Sequence, residues 1–412
     1  MTRRSSNLRW FMISLVFLAT AINYLDRQTL SVVAPVLIDH FHMSNEDYSR
    51  VIFAFMLAYT IMNAVSGPLI DRLGTRIGYA LTTAWWSVAA MLHALTTGVW
   101  SLAIYRFLLG MGEAGNWPGG VKVVAEWFPV KERALASGIF NSGSAVGAII
   151  APPLVVWIIL KEGWRYAFVA VGAVGLLWVL GWLFIYHTPG VVEAEEEKSN
   201  ISMWWLLRTR FVWSFTVAKI FLDPVWYFYI FWFPEYLKST RHFNLASIGE
   251  YAWIPFLVAG LGNLLGGWMA RSLLGRGIST TISRKSAVTF FALLMASAIP
   301  AVLVPSPSIA IGLVSLAMLG YTGVTANMLA FPADVFPTSV VATIWGLASM
   351  GSGFGGMVFA LATGWVVDHY SYTPVFIGFG LIPMIAVLLI WFVLGPLRPV
   401  LDQNNAGKAI PA

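Results

Sequence analysis

One unit of length recurs along this chain. Apolar runs of roughly 20 residues, the length an α-helix needs to cross a hydrocarbon layer, follow one another from end to end. Hydrophobic residues make up 58% of the 412 positions and charged residues only 11%, about half the roughly 25% usual in soluble domains. In lipid each backbone N–H and C=O must bond within its own segment, so such runs fold as helices. The sequence therefore predicts an all-α membrane protein with twelve transmembrane helices. They lie over about 10–34, 50–70, 78–95, 100–126, 134–160, 165–187, 211–236, 248–270, 285–304, 308–333, 339–366 and 373–395. The first run is too long and too charged for a cleavable signal peptide, and eleven more follow it.

An even number of spans puts both termini on one side. Placed in the cytoplasm, they leave five of the 25 basic residues in outer loops: Arg50, Lys161, Arg165, Lys238 and Arg241. Four more (Arg27, Arg106, Lys122, Lys219) fall within spans, and the remaining sixteen lie in cytoplasmic segments. That asymmetry predicts a multi-pass protein of the inner (plasma) membrane with cytoplasmic ends. The net charge of +6 is scattered through short loops and is no nucleic-acid footprint. The chain has no cysteine, which excludes disulfides and thiol chemistry.

The chain divides near its middle. Residues 188–210 are polar, with an acidic run from Glu193 to Glu197, and read as a cytoplasmic linker. It separates an N-terminal six-helix bundle (1–187) from a C-terminal one (211–396), with a cytoplasmic tail at 397–412. The halves repeat at an offset of 208: Gly112, Gly115, Glu126, Phe128, Pro129, Gly138, Gly143 and Gly147 meet Gly320, Gly323, Asp334, Phe336, Pro337, Gly346, Gly351 and Gly355. Eight matches in one register argue for duplication, and two six-helix pseudo-symmetric halves are a transporter architecture.

Against this oily background, buried charges locate the chemistry. Asp26 and Arg27 sit side by side in the first span, and Arg106 and Glu113 lie two helical turns apart in the fourth, on one face. A charge at a bilayer centre costs roughly 2.5–3.5 kcal/mol on insertion scales, so it faces protein, water or a ligand. The duplicated tenth span has Val314 and Tyr321 where the fourth has Arg106 and Glu113. Charge confined to one half suggests function; a salt-bridge network bracing the first and fourth helices is the structural alternative. The four side chains sum to zero. Arg27 can grip a carboxylate at two points, and a proton on Asp26 or Glu113 would cancel the negative charge that a bound anion adds. Binding both together is symport by linkage.

Hydroxyl-bearing and amide side chains extend the list of candidate ligand contacts: Tyr24, Tyr59, Asn141, Ser144, Tyr227, Asn327 and Ser349. Each has a plain alternative as a helix–helix hydrogen bond. Trp85, Trp86, Trp178 and Trp182 read as lipid-facing or interfacial anchors. Trp226, Trp232 and Trp345 are candidates for stacking on a sugar ring, or core residues. Lys219 and Asp223, four apart in the seventh span, form an intrahelical pair on this reading. Lys219 as a second anion contact is the sharper one, and Pro224 is placed to break or bend the helix. Lys122 and Glu126 read as gate or structure.

The turn after the second span, Gly67-Pro-Leu-Ile-Asp71-Arg72-Leu-Gly74-Thr-Arg76, resembles the signature loop of the major facilitator superfamily. In that family its acid and arginines latch the halves when the cytoplasmic side is shut, which gives Asp71, Arg72 and Arg76 a gating role by resemblance. The second copy has Arg271 where the first has Asp71, so the role is not carried there. Further motifs are N-Y-L-D-R from Asn23, Y-R-F-L-L-G-M-G-E from Tyr105, and E-W-F-P-V-K-E-R from Glu126. These resemble the anion:cation symporter family, and within it the bacterial hexuronate transporters. The resemblance implies proton-coupled uptake of a sugar acid, with Arg27 on the substrate carboxylate, Asp26 and Glu113 as the protonatable pair and Arg106 as their coupling partner. Galactonate-type members have glutamine where this chain has Ser144, which suits a uronate better than an aldonate.

Other classes fit less well. No H-E-x-x-H, nucleophile elbow or phosphate loop marks an enzyme, and the six histidines scatter to loops and ends. No metal and no cofactor beyond the proton as coupling ion is expected. The expected partners are a sugar-acid anion, H⁺ and the lipid bilayer, with no nucleic acid, and the chain is expected to act as a monomer. A transporter of an aldonate or aldarate, a channel or receptor, and a membrane enzyme stand as alternatives.

Overall fold

The computed structural model describes residues 3–187, 203–336 and 338–399. The acidic run, most of the 188–210 linker, Pro337 and the tail from 400 onward lie outside the described residues. Among those described there is no strand, and the helices form twelve rods: α1 Arg3–Phe41, α2 Asn45–Leu73, α3 Thr75–Leu92, α4 (Val99–Glu113 and Asn116–Trp127), α5 Val130–Glu162, α6 Trp164–Ile185, α7 Arg210–Ser239, α8 Leu245–Gly275, α9 Thr280–Leu303, α10 Pro307–Val335, α11 Thr338–His369 and α12 Tyr372–Val393. A short helix, Met203–Arg208, precedes α7. Nine of the twelve are long and apolar enough to cross a membrane. Of the other three, α3 carries Arg76 and several polar residues in a helix of 18, α4 is interrupted after Glu113, and α7 carries Lys219 and Asp223 in its middle.

Local chemistry fixes the helix ends. Ser44 and Asp47 make a reciprocal capping box at the start of α2, with bonds of 3.0 and 3.2 Å. A single residue, Gly74, joins α2 to α3 at φ 76°, and Gly163 joins α5 to α6 at φ 92°. Only glycine adopts that backbone region without a Cβ penalty, so these one-residue reversals demand it. Pro224 does not interrupt α7. It does leave the Ile220 carbonyl without a helical donor, and Gly355 of α11 packs against that carbonyl.

Close helix contacts repeat between the halves. A Cβ on Gly143 or Gly147 would strike the Phe17 or Ala21 carbonyl of α1; on Gly351 or Gly355 it would strike the Thr216 or Ile220 carbonyl of α7. Gly112 and Gly115 meet α3, and Gly320 and Gly323 meet α9. Glu126 accepts from Thr75 at the start of α3 (2.6 Å), while Asp334 pairs with Arg284 in the first turns of α9 (2.9 Å). Gly138 and Gly346 meet nothing, so packing does not account for that matched pair.

Contacts divide the chain into two units. Unit 1 is residues 1–194 with 227–254 and 356–370; unit 2 is residues 195–226, 255–355 and 371–412. This division differs from the boundary at 188–210 because α7, α8 and α11 each contribute to both. In unit 1 α1 packs along α5, α2 along α4 and α3 along α6, and in unit 2 α9 packs along α10. Unit 1 also holds the C-terminal part of α7 through bonds from Ser31 and Tyr48 to the Phe231 carbonyl (3.2 and 2.7 Å).

The glycine contacts are testable. Gly147→Ala and Gly355→Ala should each destabilise the detergent-solubilised protein by about 1–3 kcal/mol through overpacking. Gly138→Ala should be neutral or stabilising, since alanine is the better helix former. Equal melting temperatures for all three variants would contradict the repeat packing.

Candidate functional site

From Ile22 to Pro35 every residue of α1 is buried, so side chains there meet protein on all sides. Asp26, Arg27, Arg106 and Glu113 are 3%, 2%, 1% and 0% exposed, and unit 1 gathers all four. Arg27 Nε donates to Glu113 Oε2 at 2.9 Å, and Nη2 lies 2.9 Å from the same oxygen. Arg106 Nη2 donates to the Arg27 backbone carbonyl at 3.3 Å. Asp26 lies in electrostatic reach of Glu113, Arg106 and Trp86. Aromatic faces surround the Arg27 guanidinium: Tyr24 at 4.9 Å, Tyr59 at 4.8 Å and Phe55 at 5.3 Å. Such faces stabilise a desolvated cation by about 0.5–2 kcal/mol each. Tyr227 also interacts electrostatically with Arg27.

Charge is balanced here, but hydrogen bonding is not. Glu113 gives the arginine one oxygen rather than two, so the pair is not the fork-to-fork arrangement that saturates both groups. Arg27 Nη2, Arg106 Nε and Nη1, Glu113 Oε1 and both Asp26 oxygens have no aligned protein partner. Neither do the amide groups of Asn23 and Gln28, both fully buried. Buried polar atoms are nearly always satisfied, so this cluster is the candidate site.

The other sequence candidates have varied surroundings. Tyr24, Tyr59 and Tyr227 join Arg27, as described. Asn141 and Ser144 are exposed and half-buried on α5, with the Ser144 hydroxyl donating to the Asn141 carbonyl at 2.7 Å. Ser349 is half-buried on α11 in unit 2. Asn327 is fully buried and donates to the Gly266 and Gly323 carbonyls, both at 3.0 Å, which braces α10 against α8. Asp71 bonds Lys122 at 2.7 Å, so Lys122 pairs across helices rather than with Glu126. Glu126 accepts instead from Thr75 and Tyr186. Arg76 reaches the Leu183 carbonyl, and Arg72 is exposed.

Three of the four supposed tryptophan anchors are corrected. Trp86, Trp178 and Trp182 are 0%, 8% and 0% exposed; only Trp85 is exposed. Trp178 and Trp182 stack on each other and give their indole N–H groups to the Leu15 and Arg76 carbonyls (2.9 and 3.0 Å), while Trp86 faces Asp26. A buried indole needs such an acceptor, and for Trp178 and Trp182 helix carbonyls supply it. Composition could not tell these from lipid-facing rings. Asn23, Gln28 and His93 went unassigned in the sequence. The visible signal was the polar run from Asn23 to Thr29 in an apolar helix. His93 is 1% exposed, bonds the Ala89 carbonyl at 2.8 Å and lies in electrostatic reach of Arg106.

Unit 2 holds a buried ion pair of its own. Lys219 Nζ lies 2.7 Å from Asp223 Oδ2, and Tyr321 donates to Asp223 Oδ1 at 3.1 Å. Lys219 also sits 5.1 Å above Trp345, and Trp226 stacks on Tyr321 at 5.2 Å and 12°.

Residues 16–282 match the family model of the Major Facilitator Superfamily. The chain belongs to that superfamily. It is a multi-pass membrane transporter, not an enzyme. It is 35% identical to the hexuronate transporter of Escherichia coli K12, over 95% of each chain. It is 38% identical to the galacturonate transporter of Dickeya chrysanthemi, over 76% of this chain and 96% of that one. Among solved structures, an inward-facing, unoccupied bacterial homologue of the human lysosomal transporter Spinster aligns with a TM-score of 0.71 at 19% identity. That alignment covers 94% of this chain and 95% of the other, and it supports the fold.

Removing one member of a buried pair strands the other. Glu113→Ala should therefore lower stability by about 3–5 kcal/mol, and the Arg27→Met/Glu113→Leu double variant should recover most of that loss. Thermal unfolding in detergent checks the order; a double variant less stable than the single one would contradict the pairing.

Proposed function

We propose that this transporter takes up a sugar-acid anion together with a proton. The substrate the site suits best is a hexuronate such as galacturonate or glucuronate. The carrying observation is the Arg27 guanidinium, deep in α1, which shares one oxygen of Glu113 and keeps a donor without an aligned acceptor. A substrate carboxylate fits that donor. Tyr24, Tyr59 and Tyr227 around it supply hydroxyls and ring faces for a polyol. Identity of 35% and 38% to transporters named for hexuronate and galacturonate supports the substrate class.

The coupling follows from charge. The tetrad is neutral, so an added anion leaves one uncompensated negative charge where the dielectric is poor. Desolvation favours the uncharged form of a carboxyl group. Asp26 and Glu113, both buried and each with at least one unpartnered oxygen, are the groups to take the proton. Arg106, bonded to the Arg27 carbonyl, links the two helices as coupling partner. Asn141, Ser144, Asn327 and Ser349 remain candidate hydroxyl contacts. On this reading both termini lie in the cytoplasm, the membrane is the bacterial inner one, and the chain acts as a monomer. Asp71, Arg72 and Arg76 serve the cytoplasmic gate; Asp71 is mostly exposed and held by Lys122, so it can exchange partners.

Three outcomes check the proposal. Arg27→Ala should abolish galacturonate binding by the purified protein, and near-normal affinity would remove Arg27 from the site. Asp26→Asn and Glu113→Gln should block accumulation driven by a pH gradient in proteoliposomes, with exchange spared in at least one. If both still concentrate substrate, the proton is carried elsewhere. Replacing sodium should leave uptake unchanged; strict sodium dependence would overturn proton coupling.

A further inference from the structure

Arg27, Ser31, Pro35 and Asp39 follow one another a turn apart along one i+4 row of α1. The C-terminal part of α7 is tied to that row at two levels. The Ser31 hydroxyl donates to the Phe231 carbonyl at 3.2 Å, as Tyr48 of α2 does at 2.7 Å. Further along, Lys238 donates to the Pro35 carbonyl at 2.7 Å and pairs with Asp39. Glu235 lies between these ties, about a turn from each, in a stretch of α7 that is buried without a break from Phe228 to Leu237. All of these residues belong to unit 1.

Glu235 is 5% exposed, and its Oε2 has no aligned hydrogen-bond partner. The ionisable groups facing it are Lys238 of its own helix, Asp39 of α1 and Tyr48 of α2. Lys238 is already taken by Asp39 and the Pro35 carbonyl. Two carboxyls thus share one ammonium, and the group is neutral only when one acid carries a proton. Asp39 is exposed and has water to solvate it, whereas Glu235 is enclosed. An ionisable side chain left unpaired within a membrane helix marks a candidate functional site.

Its surroundings lead in two directions. On one side Pro35, Asp39, His40 and Lys238 line a cavity of about 440 Å³ together with Phe243 and Asn244, and Asp39 and His40 are exposed there. On the other side Tyr48, itself buried, is in electrostatic reach of both Glu235 and Arg106. Along α1 the rise from Arg27 to Pro35 is roughly 12 Å, and the Ser31 and Tyr48 hydroxyls stand at the level between. We propose that Glu235 is the outer loading site for the transported proton, holding it between the surface cavity and the buried tetrad. Glu235 Oε2 takes a proton from water at the cavity and later yields it. The proton ends on Asp26 or Glu113, Glu235 is again a carboxylate, and no other bond changes. The inference rests on the proton-coupled reading above, with its cytoplasmic termini.

Right-side-out membrane vesicles carrying wild type, Glu235→Gln or Glu235→Asp test it, with external pH varied at one internal pH. In Glu235→Gln the initial rate of gradient-driven galacturonate uptake should fall at least tenfold and lose its dependence on external pH. Equilibrium affinity should be unchanged, because it is indifferent to the route the proton takes. Glu235→Asp, which keeps the acid, should keep the pH dependence. If Glu235→Gln does not yield folded protein, Glu235→Met serves in its place. A wild-type rate in a folded variant, or a loss that leaves the external-pH profile unaltered, overturns the inference and leaves proton coupling intact. Wild-type uptake that ignores the pH gradient removes the coupling reading and this inference with it.

Discussion

A cation buried in a membrane helix dictates much of this structure. Arg27 cannot shed its proton, so the fold must neutralise and solvate it by its own means. Glu113 supplies the charge, three aromatic rings supply polarisable faces, and the full burial of α1 around it excludes lipid. The arrangement stops short of saturation: one carboxylate oxygen, several guanidinium donors and both oxygens of Asp26 have no aligned protein hydrogen-bond partner. An unsatisfied buried group costs about 1–3 kcal/mol, and on the proposed reading these open groups are what keep the site responsive to an arriving anion.

That responsiveness depends on helices that approach closely and hold their register. Glycines on α5 and α11 bring backbone against backbone at equivalent places in the two halves. Duplication gave the halves the same glycine contacts, and sequence divergence gave them different chemistry: one carries the Arg27–Glu113 ion pair, while the other carries the Trp226–Tyr321 stack and the Lys219–Asp223 pair.

The helical fold, the duplication and the four central charges were legible in the sequence because lipid makes every polar residue conspicuous. A twenty-residue apolar run has few alternatives, and an arginine inside one has fewer. The partnering was harder to read. Lys122 and Glu126 are four apart, yet each turns to another helix, Lys122 to Asp71 of α2 and Glu126 to Thr75 of α3. The tryptophans were misjudged for a related reason. An indole is equally at home against lipid and in a helix seam, and only the location of a carbonyl acceptor decides, as Leu15 does for Trp178. Asn327 shows the same limit, since its depth in α10 was readable but its bond to the Gly266 carbonyl was not.

The most direct test is to count protons during binding. Galacturonate is added to purified protein in weakly buffered solution containing a pH indicator, alongside the Arg27→Ala variant. Each bound anion should draw protons out of solution, about one for each uncompensated charge, and the variant should show neither binding nor uptake. Tight binding to the wild type with no change in free proton would contradict the account at its centre.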